Sequence, residues 1–320
     1  MVTHWLAELD GRRVTVEAPA SSANLGAGYD CLGLALGLVN RVEVEVRGWS
    51  RGKIELSVEG EGVGELGEDH DNRFIQGVEA ALREVRGEIP EGVGWRVEMV
   101  NQIPLARGLG SSAAATVGGL LAGNSLLGDP LDTRALLRLA TEIEGHPDNA
   151  AAALLGGFVV STAGEDGVEA IRFDVPRDLR AVLFVPDLRL STDEMRRALP
   201  DTVPFADAVA NLGRVAVGVA GLATRRYDLI RLLTVDRLHE PYRAAAYPQL
   251  PRLVEAARAA GAIGACLSGS GSTILAFVDS VASVARIEAG FLAAAADTDL
   301  SGVVTVVNPR NAGARVIRSA

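Results

Sequence analysis

Lysine is almost absent from this chain: its 320 residues include one, Lys53, and the rest of its 31 basic residues are arginine. Kinase designs that hold a phosphate with a lysine after a glycine-rich loop have almost nowhere to put it. Arg107, Arg196 and Arg243 are better placed to meet an anion. Aromatic residues are also scarce, at 4%, so the core has to be built from alanine, valine and leucine. The two cysteines, Cys31 and Cys266, lie far apart in small apolar runs. That spacing supplies neither a disulfide framework nor a metal site, and it points to buried free thiols in a reducing compartment. No basic segment followed by an apolar stretch opens the chain, and uninterrupted apolar runs such as Ala150 to Leu155 fall far short of the ~18 residues of a membrane span. A net charge of -10 disfavours nucleic acid or an anionic membrane as partner. The expectation is a cytoplasmic protein.

The length favours two domains or one large two-lobed unit. Period-two patterning predicts strands over residues 13–17, 34–46, 54–58 and 95–100, with a helix over 72–85 between the last two. Helices over 111–127 and 133–144 follow, and then strands over 159–162, 170–173 and 181–185. Helical periods recur at 193–199, 206–223, 250–260 and 281–295, with strands at 263–267 and 273–278. Strands first and a mixture later suggest an α+β protein with two sheet-bearing lobes. Pro176, within Asp174 to Asp178, marks the boundary, giving domains 1–175 and 176–320.

The strongest chemical signal is the loop Pro104, Leu105, Ala106, Arg107, Gly108, Leu109, Gly110, Ser111, Ser112, Ala113 and Ala114, which joins a strand to a long helix. Gly108 and Gly110 let the backbone approach a ligand closely, and the two serines stand beside the unpaired N-H groups of a helix start. The helix dipole adds roughly half a positive charge there, so a triphosphate can be held without lysine. Plain helix capping needs one serine and no paired glycines, which favours an anion cradle.

Three further segments carry polar groups. Pro19 to Gly33 combines Asn24, a glycine turn and Asp30, and suits a small zwitterion carrying an ammonium group. Leu267-Ser-Gly-Ser-Gly-Ser-Thr273 is expected to lie against the phosphate loop and brace it. In Glu142-Ile-Glu-Gly-His-Pro-Asp-Asn149, a carboxylate suits Mg²⁺. Glu142 and Glu144 diverge by about 200° on a helix, so one is the metal ligand and the other structural. Pro147 ends the helix and frees His146 to face a cleft.

Together these segments resemble the motifs of the GHMP kinases. The wording of Pro19 to Gly26 with Asp30, of Glu144 to Asn149 and of Ser268 to Gly271 is similar to the branch that phosphorylates homoserine. The resemblance covers nearly the whole chain. It implies an α+β, two-lobed GHMP kinase fold, with an N-terminal mixed α/β nucleotide domain and a C-terminal ferredoxin-like domain. The implied reaction is transfer of the ATP γ-phosphoryl group, with Mg²⁺, to the side-chain hydroxyl of L-homoserine for threonine biosynthesis. Asn24, Asp30, His146, Arg196 and Arg243 resemble residues that surround homoserine, and Thr192 one near the reacting hydroxyl. Asp148 is a candidate base or proton relay. Glu142 resembles the metal ligand, with Ser112 as its hydroxyl partner. Asn72 resembles a residue beside adenine, and Ser268 and Gly269 join the nucleotide loop. Ala27, Tyr29 and Ser272 depart conservatively from the common family wording. The oligomeric state stays open between monomer and homodimer.

Overall fold

Alternating valines build the first sheet, because Val14, Val16, Val42, Val44, Val46 and Val97 all turn to one buried face. The computed structural model describes residue 5 and residues 8–48, 52–67, 69–89, 92–165 and 167–319. Strands β1 (Arg13–Ala23), β2 (Leu32–Arg47), β3 (Ile54–Gly60) and β4 (Gly94–Asn101) lie in the order β1-β2-β4-β3. β3 and β4 are parallel. Their crossover is α1 (Arg73–Arg86), capped at its start by Asn72, whose side chain accepts from the N-H of Phe74, and ended by Gly87 at φ 81°. Phe74, Ile75, Val78 and Leu82 of α1 bury one face against the sheet. Helices α2 (Ser111–Leu126), α3 (Thr133–Glu144) and α4 (Asp148–Leu155) follow, and then β5 (Phe158–Gly164), paired to β2, and β6 (Gly167–Phe173), paired to β5.

The second sheet is antiparallel. Its strands are β7 (Arg180–Pro186), β8 (Gly264–Leu267), β9 (Ile274–Val278) and β10 (Gly302–Val307), in the order β10-β7-β9-β8. Between β7 and β8 run α5 (Thr192–Arg197), α6 (Phe205–Ala223), a 3₁₀ turn at Tyr227–Leu229, α7 (Ile230–Leu233), α8 (Glu240–Arg243) and α9 (Leu250–Ala259). α10 (Val281–Ala296) links β9 to β10. This is the β-α-β-β-α-β order of a ferredoxin-like sheet, elaborated by extra helices after its first strand. One face buries α9 and α10 through Leu253, Ala257, Ile287 and Phe291. The other shares a core with the first lobe, where Leu25, Leu32, Leu34 and Leu109 meet Leu183, Leu275, Phe277 and Leu233.

The strands and helices expected from periodicity all form. Six elements were not read from the sequence: α4, built from an alanine run, the short turns at Tyr227–Leu229, α7 and α8, and β10 and β11 (Arg315–Ser319). β11 pairs with β1, so the last residues return to the first sheet and a division at 175/176 does not separate the lobes cleanly. α6 also departs from the expectation that no apolar run approaches a membrane span. Asp207 and Arg214 interrupt it, yet by length and composition it is apolar enough to cross one. Here Asn211 anchors it inward, donating to the carbonyl of Ala27 at 3.2 Å and to Asp236 at 2.6 Å.

α1 and α2 touch backbone to backbone. A Cβ at Gly119 would sit 2.0 Å from the Phe74 carbonyl oxygen, and one at Gly77 would sit 2.4 Å from that of Thr116. A single methyl here has nowhere to go, because both obstacles are main chain. Gly119→Ala is expected to cost about 3 kcal/mol, read as a lowered Tm. A Tm within a degree or so of the parent would contradict this close approach.

Candidate active site

The glycine-serine loop is held at both ends. Asn40 Oδ1 accepts from the N-H groups of Gln102 and Ile103 at 2.9 and 3.1 Å, fixing where the chain leaves β4. Gly108 (φ 73°) and Gly110 (φ 67°) take left-handed conformations. Both are also crowded: a Cβ at Gly108 would lie 2.1 Å from the Ser268 carbonyl oxygen, and one at Gly110 would lie 2.1 Å from Ser21 Oγ. α2 starts at Gly110 without a side-chain cap, which leaves the first-turn N-H groups of Ser111, Ser112 and Ala113 for a ligand. The third glycine-rich segment lies against this loop, as its sequence suggested. Ser268 Oγ donates to the Gly108 carbonyl at 2.6 Å, and the Thr273 N-H donates to that of Arg107 at 3.1 Å.

Arg107 differs from its expected part. Its Nε donates to the Pro186 carbonyl at 2.6 Å, and its Nη groups donate to the carbonyls of Leu105 and Asp187. The guanidinium therefore ties the loop to the end of β7 instead of offering itself to an anion.

Two cavities flank the loop, with Ala106, Ser111 and Ser112 in their common wall. The larger, about 610 Å³, is mostly apolar and is bounded by Asn72, Leu66, Met99, Leu105, Ala114 and Gly118. The smaller, about 130 Å³, mixes polar and apolar surface and collects Asn24, Asp30, His146, Asp148, Thr192, Arg196, Arg243 and Gly269 beside the loop. Sequence positions from 24 to 269 thus converge on one cleft.

Opposite charges face each other in the small cavity. Arg196 grips Asp30 with two bonds, Nη2 to Oδ1 at 2.7 Å and Nη1 to Oδ2 at 3.0 Å, and also donates to the Tyr29 hydroxyl at 2.9 Å. Asn24 spends its amide on the frame: Oδ1 accepts from the Asp30 N-H at 3.0 Å, and Nδ2 donates to the Gly269 carbonyl at 2.9 Å. Arg243 is almost wholly buried, donating to the Gly269 carbonyl at 2.9 Å and to His239 Nδ1 at 3.0 Å. Burial holds the Arg243 guanidinium below its usual range. The same burial pushes His239 down to about 4, although Asp236 nearby pulls the other way. Since Nδ1 accepts from Arg243, the ring carries its proton on Nε2 and donates it to the Gly26 carbonyl at 2.8 Å. Thr192 Oγ1 sits 3.1 Å from Ser270 Oγ at the cavity edge.

The stretch after α3 forms the opposite wall. His146 Nδ1 lies 2.8 Å from Asp148 Oδ1. Burial lowers the His146 pKa, but the bond and charge of Asp148 more than offset it, and the net shift is upward. Glu142 does not reach the site. It lies on the solvent face of α3, bonded to Arg138 at 2.7 Å, with 56% of its side chain exposed. Glu144 takes the place expected of it, accepting from Ser112 Oγ at 2.9 Å and from Thr116 Oγ1 at 2.6 Å. The helix phase explains the exchange, because Arg138 and Glu142 form an i,i+4 ion pair of the kind found on solvated faces. Among the described residues no three potential metal ligands cluster. One carboxylate with two hydroxyls nevertheless fits Mg²⁺, which completes its shell with phosphate oxygens and water.

Residues 73–157 match the family described as GHMP kinases N terminal domain, and residues 219–296 match GHMP kinases C terminal. A homoserine kinase from Caldicellulosiruptor saccharolyticus is 42% identical over 83% of this chain and 84% of its own. One from Corynebacterium aurimucosum is 45% identical over 83% of this chain and 86% of its own. The chain belongs to the homoserine kinases of the GHMP kinase family. A crystal structure of homoserine kinase from Cytophaga hutchinsonii superposes with a TM-score of 0.82 at 32% identity, covering 95% of this chain and 97% of that one. Mevalonate kinase from L. major, 14% identical, shares the fold with a TM-score of 0.70 over 95% of this chain and 98% of its own. The α+β, two-lobed GHMP kinase architecture read from the sequence is the one present.

Sequence reasoning overlooked His239, Asp236 and Asn211, the buried polar residues behind Arg243. A signal existed: His239 and Arg243 are four apart, so on a helical turn they share a face.

The pH dependence of stability tests this buried ring. The folded protein keeps His239 neutral down to about pH 4, whereas the unfolded chain protonates it near 6.5. Its contribution is therefore complete above roughly pH 6.5 and lost as pH falls toward 4. His239→Gln, whatever its Tm near neutrality, should lose less further Tm than the parent between about pH 7 and about pH 5. Equal losses would contradict a neutral, buried imidazole.

Proposed function

We propose that the chain transfers the γ-phosphoryl group of ATP to the side-chain hydroxyl of L-homoserine, yielding O-phospho-L-homoserine for threonine biosynthesis. The observation that carries this reading is the Asp30–Arg196 pair beside the loop, with Arg243 behind it. A carboxylate and a guanidinium held in one cleft match the ammonium and carboxylate of an amino acid. Sugars, mevalonate and shikimate offer no ammonium to Asp30.

Each group then has a task. The adenine occupies the apolar cavity beside Asn72, and the phosphates lie on the N-H groups that begin α2, with Gly108, Gly110 and Ser111 in contact. Bound Mg²⁺ neutralises charge on the phosphate oxygens; Glu144 and Ser112 are the residues to hold it. Asn24 and Tyr29 set the positions of Asp30 and Arg196. Thr192 stands near the acceptor hydroxyl, and Asp148 orients His146 and can relay a proton. No lysine is needed, because phosphoryl transfer has a loose transition state and gains its rate from positioning and charge neutralisation. Of the two free thiols Cys266 is buried as expected and Cys31 only half-buried; burial pushes Cys31 up to about 11 and raises Cys266 as well, which suits a cytoplasmic enzyme with no redox task.

Coupled ADP release should be at least a hundredfold more efficient in kcat/KM with L-homoserine than with mevalonate, shikimate or galactose. Preference for any of the other three would overturn the substrate assignment. Glu144→Gln should lower kcat about a hundredfold or more at unchanged Tm, while Glu142→Gln stays within about twofold. The reverse order would return the metal to Glu142.

A further inference from the structure

A guanidinium offers five N-H donors, and the protein spends three of those on Arg243. Its Nε donates to the Met195 carbonyl at 3.3 Å, and Nη1 donates to the Gly269 carbonyl at 2.9 Å and to His239 Nδ1 at 3.0 Å. Among the described residues Nη2 has no hydrogen-bond partner, which leaves its two N-H groups for a ligand in the small cavity that Arg243 lines. His239 stands behind this arrangement. Its ring is wholly buried, its Nε2 donates to the Gly26 carbonyl at 2.8 Å, and the Tyr29 ring tilts against it with centroids 5.3 Å apart. Asp236 holds the turn that carries the histidine, accepting from the N-H groups of Leu238, His239 and Glu240 at 3.0, 2.7 and 2.7 Å. Neither Asp236 nor His239 lines the small cavity.

We propose that His239 is a positioning residue for the acceptor: its Nδ1 holds Nη1 of Arg243, so that the Nη2 end is presented to the carboxylate of the amino acid. This rests on the reading that the small cavity takes L-homoserine. A neutral imidazole accepts at Nδ1 only while its one proton stays on Nε2, and the Gly26 carbonyl keeps it there. The contacts reach further than one arginine. Gly26 belongs to the turn that carries Asn24 and Asp30, and Met195 immediately precedes Arg196 in α5. One ring and one guanidinium therefore tie together the segments that bear the ammonium partner and both carboxylate partners. The Arg243 and Arg196 guanidiniums also lie 5.4 and 5.6 Å from the centre of the same Tyr29 ring. Losing the acceptor at Nδ1 leaves a buried N-H unpaired and frees a planar fork to turn, and a displacement of about 1 Å is enough to spoil a polar site. The larger cavity has neither His239 nor Arg243 in its wall, so the effect falls on the acceptor and spares the nucleotide.

Steady-state kinetics of three variants, with nitrogen-15 spectroscopy of the parent, decide the point. His239→Ala should raise the KM for L-homoserine about tenfold or more, with kcat within about fivefold and the KM for ATP within about twofold of the parent. His239→Asn, whose Oδ1 takes the place of Nδ1, should return that KM to within about threefold of the parent. His239→Gln, whose amide reaches the Nε2 position instead, should not recover it. In the parent, the ring should show a bare Nδ1 and a protonated Nε2, with both signals moving as L-homoserine is added; this reading stands even where His239→Ala fails to fold. A KM for homoserine unmoved in His239→Ala, an equal rise in the KM for ATP, recovery by Gln and not by Asn, or a proton on Nδ1 would overturn the positioning role. A parent that leaves L-homoserine unphosphorylated would overturn the substrate reading, and this inference with it.

Discussion

A backbone contact at Gly108 governs the rest of this molecule. The glycine-serine loop leaves the first lobe and passes so close to the Ser268–Gly271 segment of the second that no side chain fits between them. Three consequences follow from that one approach. The Ser268 hydroxyl and the Thr273 N-H satisfy the loop carbonyls, which a loop exposed to water would leave to solvent. α2 starts beside this contact without a side-chain cap, so its first N-H groups stay available. The two cavities also come to share a wall, which in the proposed reaction brings a nucleotide on one side within reach of an acceptor on the other.

Electrostatics in the cleft come from the frame as much as from side chains. With one lysine in the chain, and that one at the start of β3 beside Glu55, positive potential for phosphates comes from helix N-H groups. The arginines divide the remaining work. Arg107 is consumed by carbonyls, Arg243 is fixed by a neutral histidine, and Arg196 alone is held by a carboxylate that a zwitterion can displace it from. Asp30 and Arg196 therefore neutralise each other across the cleft; in the proposed complex a ligand carrying both charges replaces each partner with its own.

Much of this was legible before any coordinates. The loop could be read because its chemistry is local: paired glycines and serines at a strand-to-helix junction act through backbone geometry alone. The strands and long helices were legible for a similar reason, since periodicity reports burial directly. Glu144 was misjudged against Glu142 because two carboxylates two residues apart look alike until the solvent face of the helix is known, and Arg138 held that information unused. His239, Asp236 and Asn211 escaped because their roles depend on contacts between segments far apart in sequence. β11 escaped because its burial pattern is mostly exposed, and what places it is pairing with β1 and not a hydrophobic period. The outer face of α6 was readable as a helix, but its exposure was not, because an apolar helix reads as buried by default.

The account rests on the loop as the point where nucleotide and amino acid meet, and a crystal structure with a non-hydrolysable ATP analogue, Mg²⁺ and L-homoserine tests it most directly. The adenine is predicted in the cavity beside Asn72, the terminal phosphates on the N-H groups of Ser111 to Ala113, the metal against Glu144, and the amino acid between Asp30 and Arg196 with their mutual bond broken. A triphosphate bound away from Gly108 to Ser112, or an amino acid bound elsewhere with the Asp30–Arg196 pair intact, would contradict it.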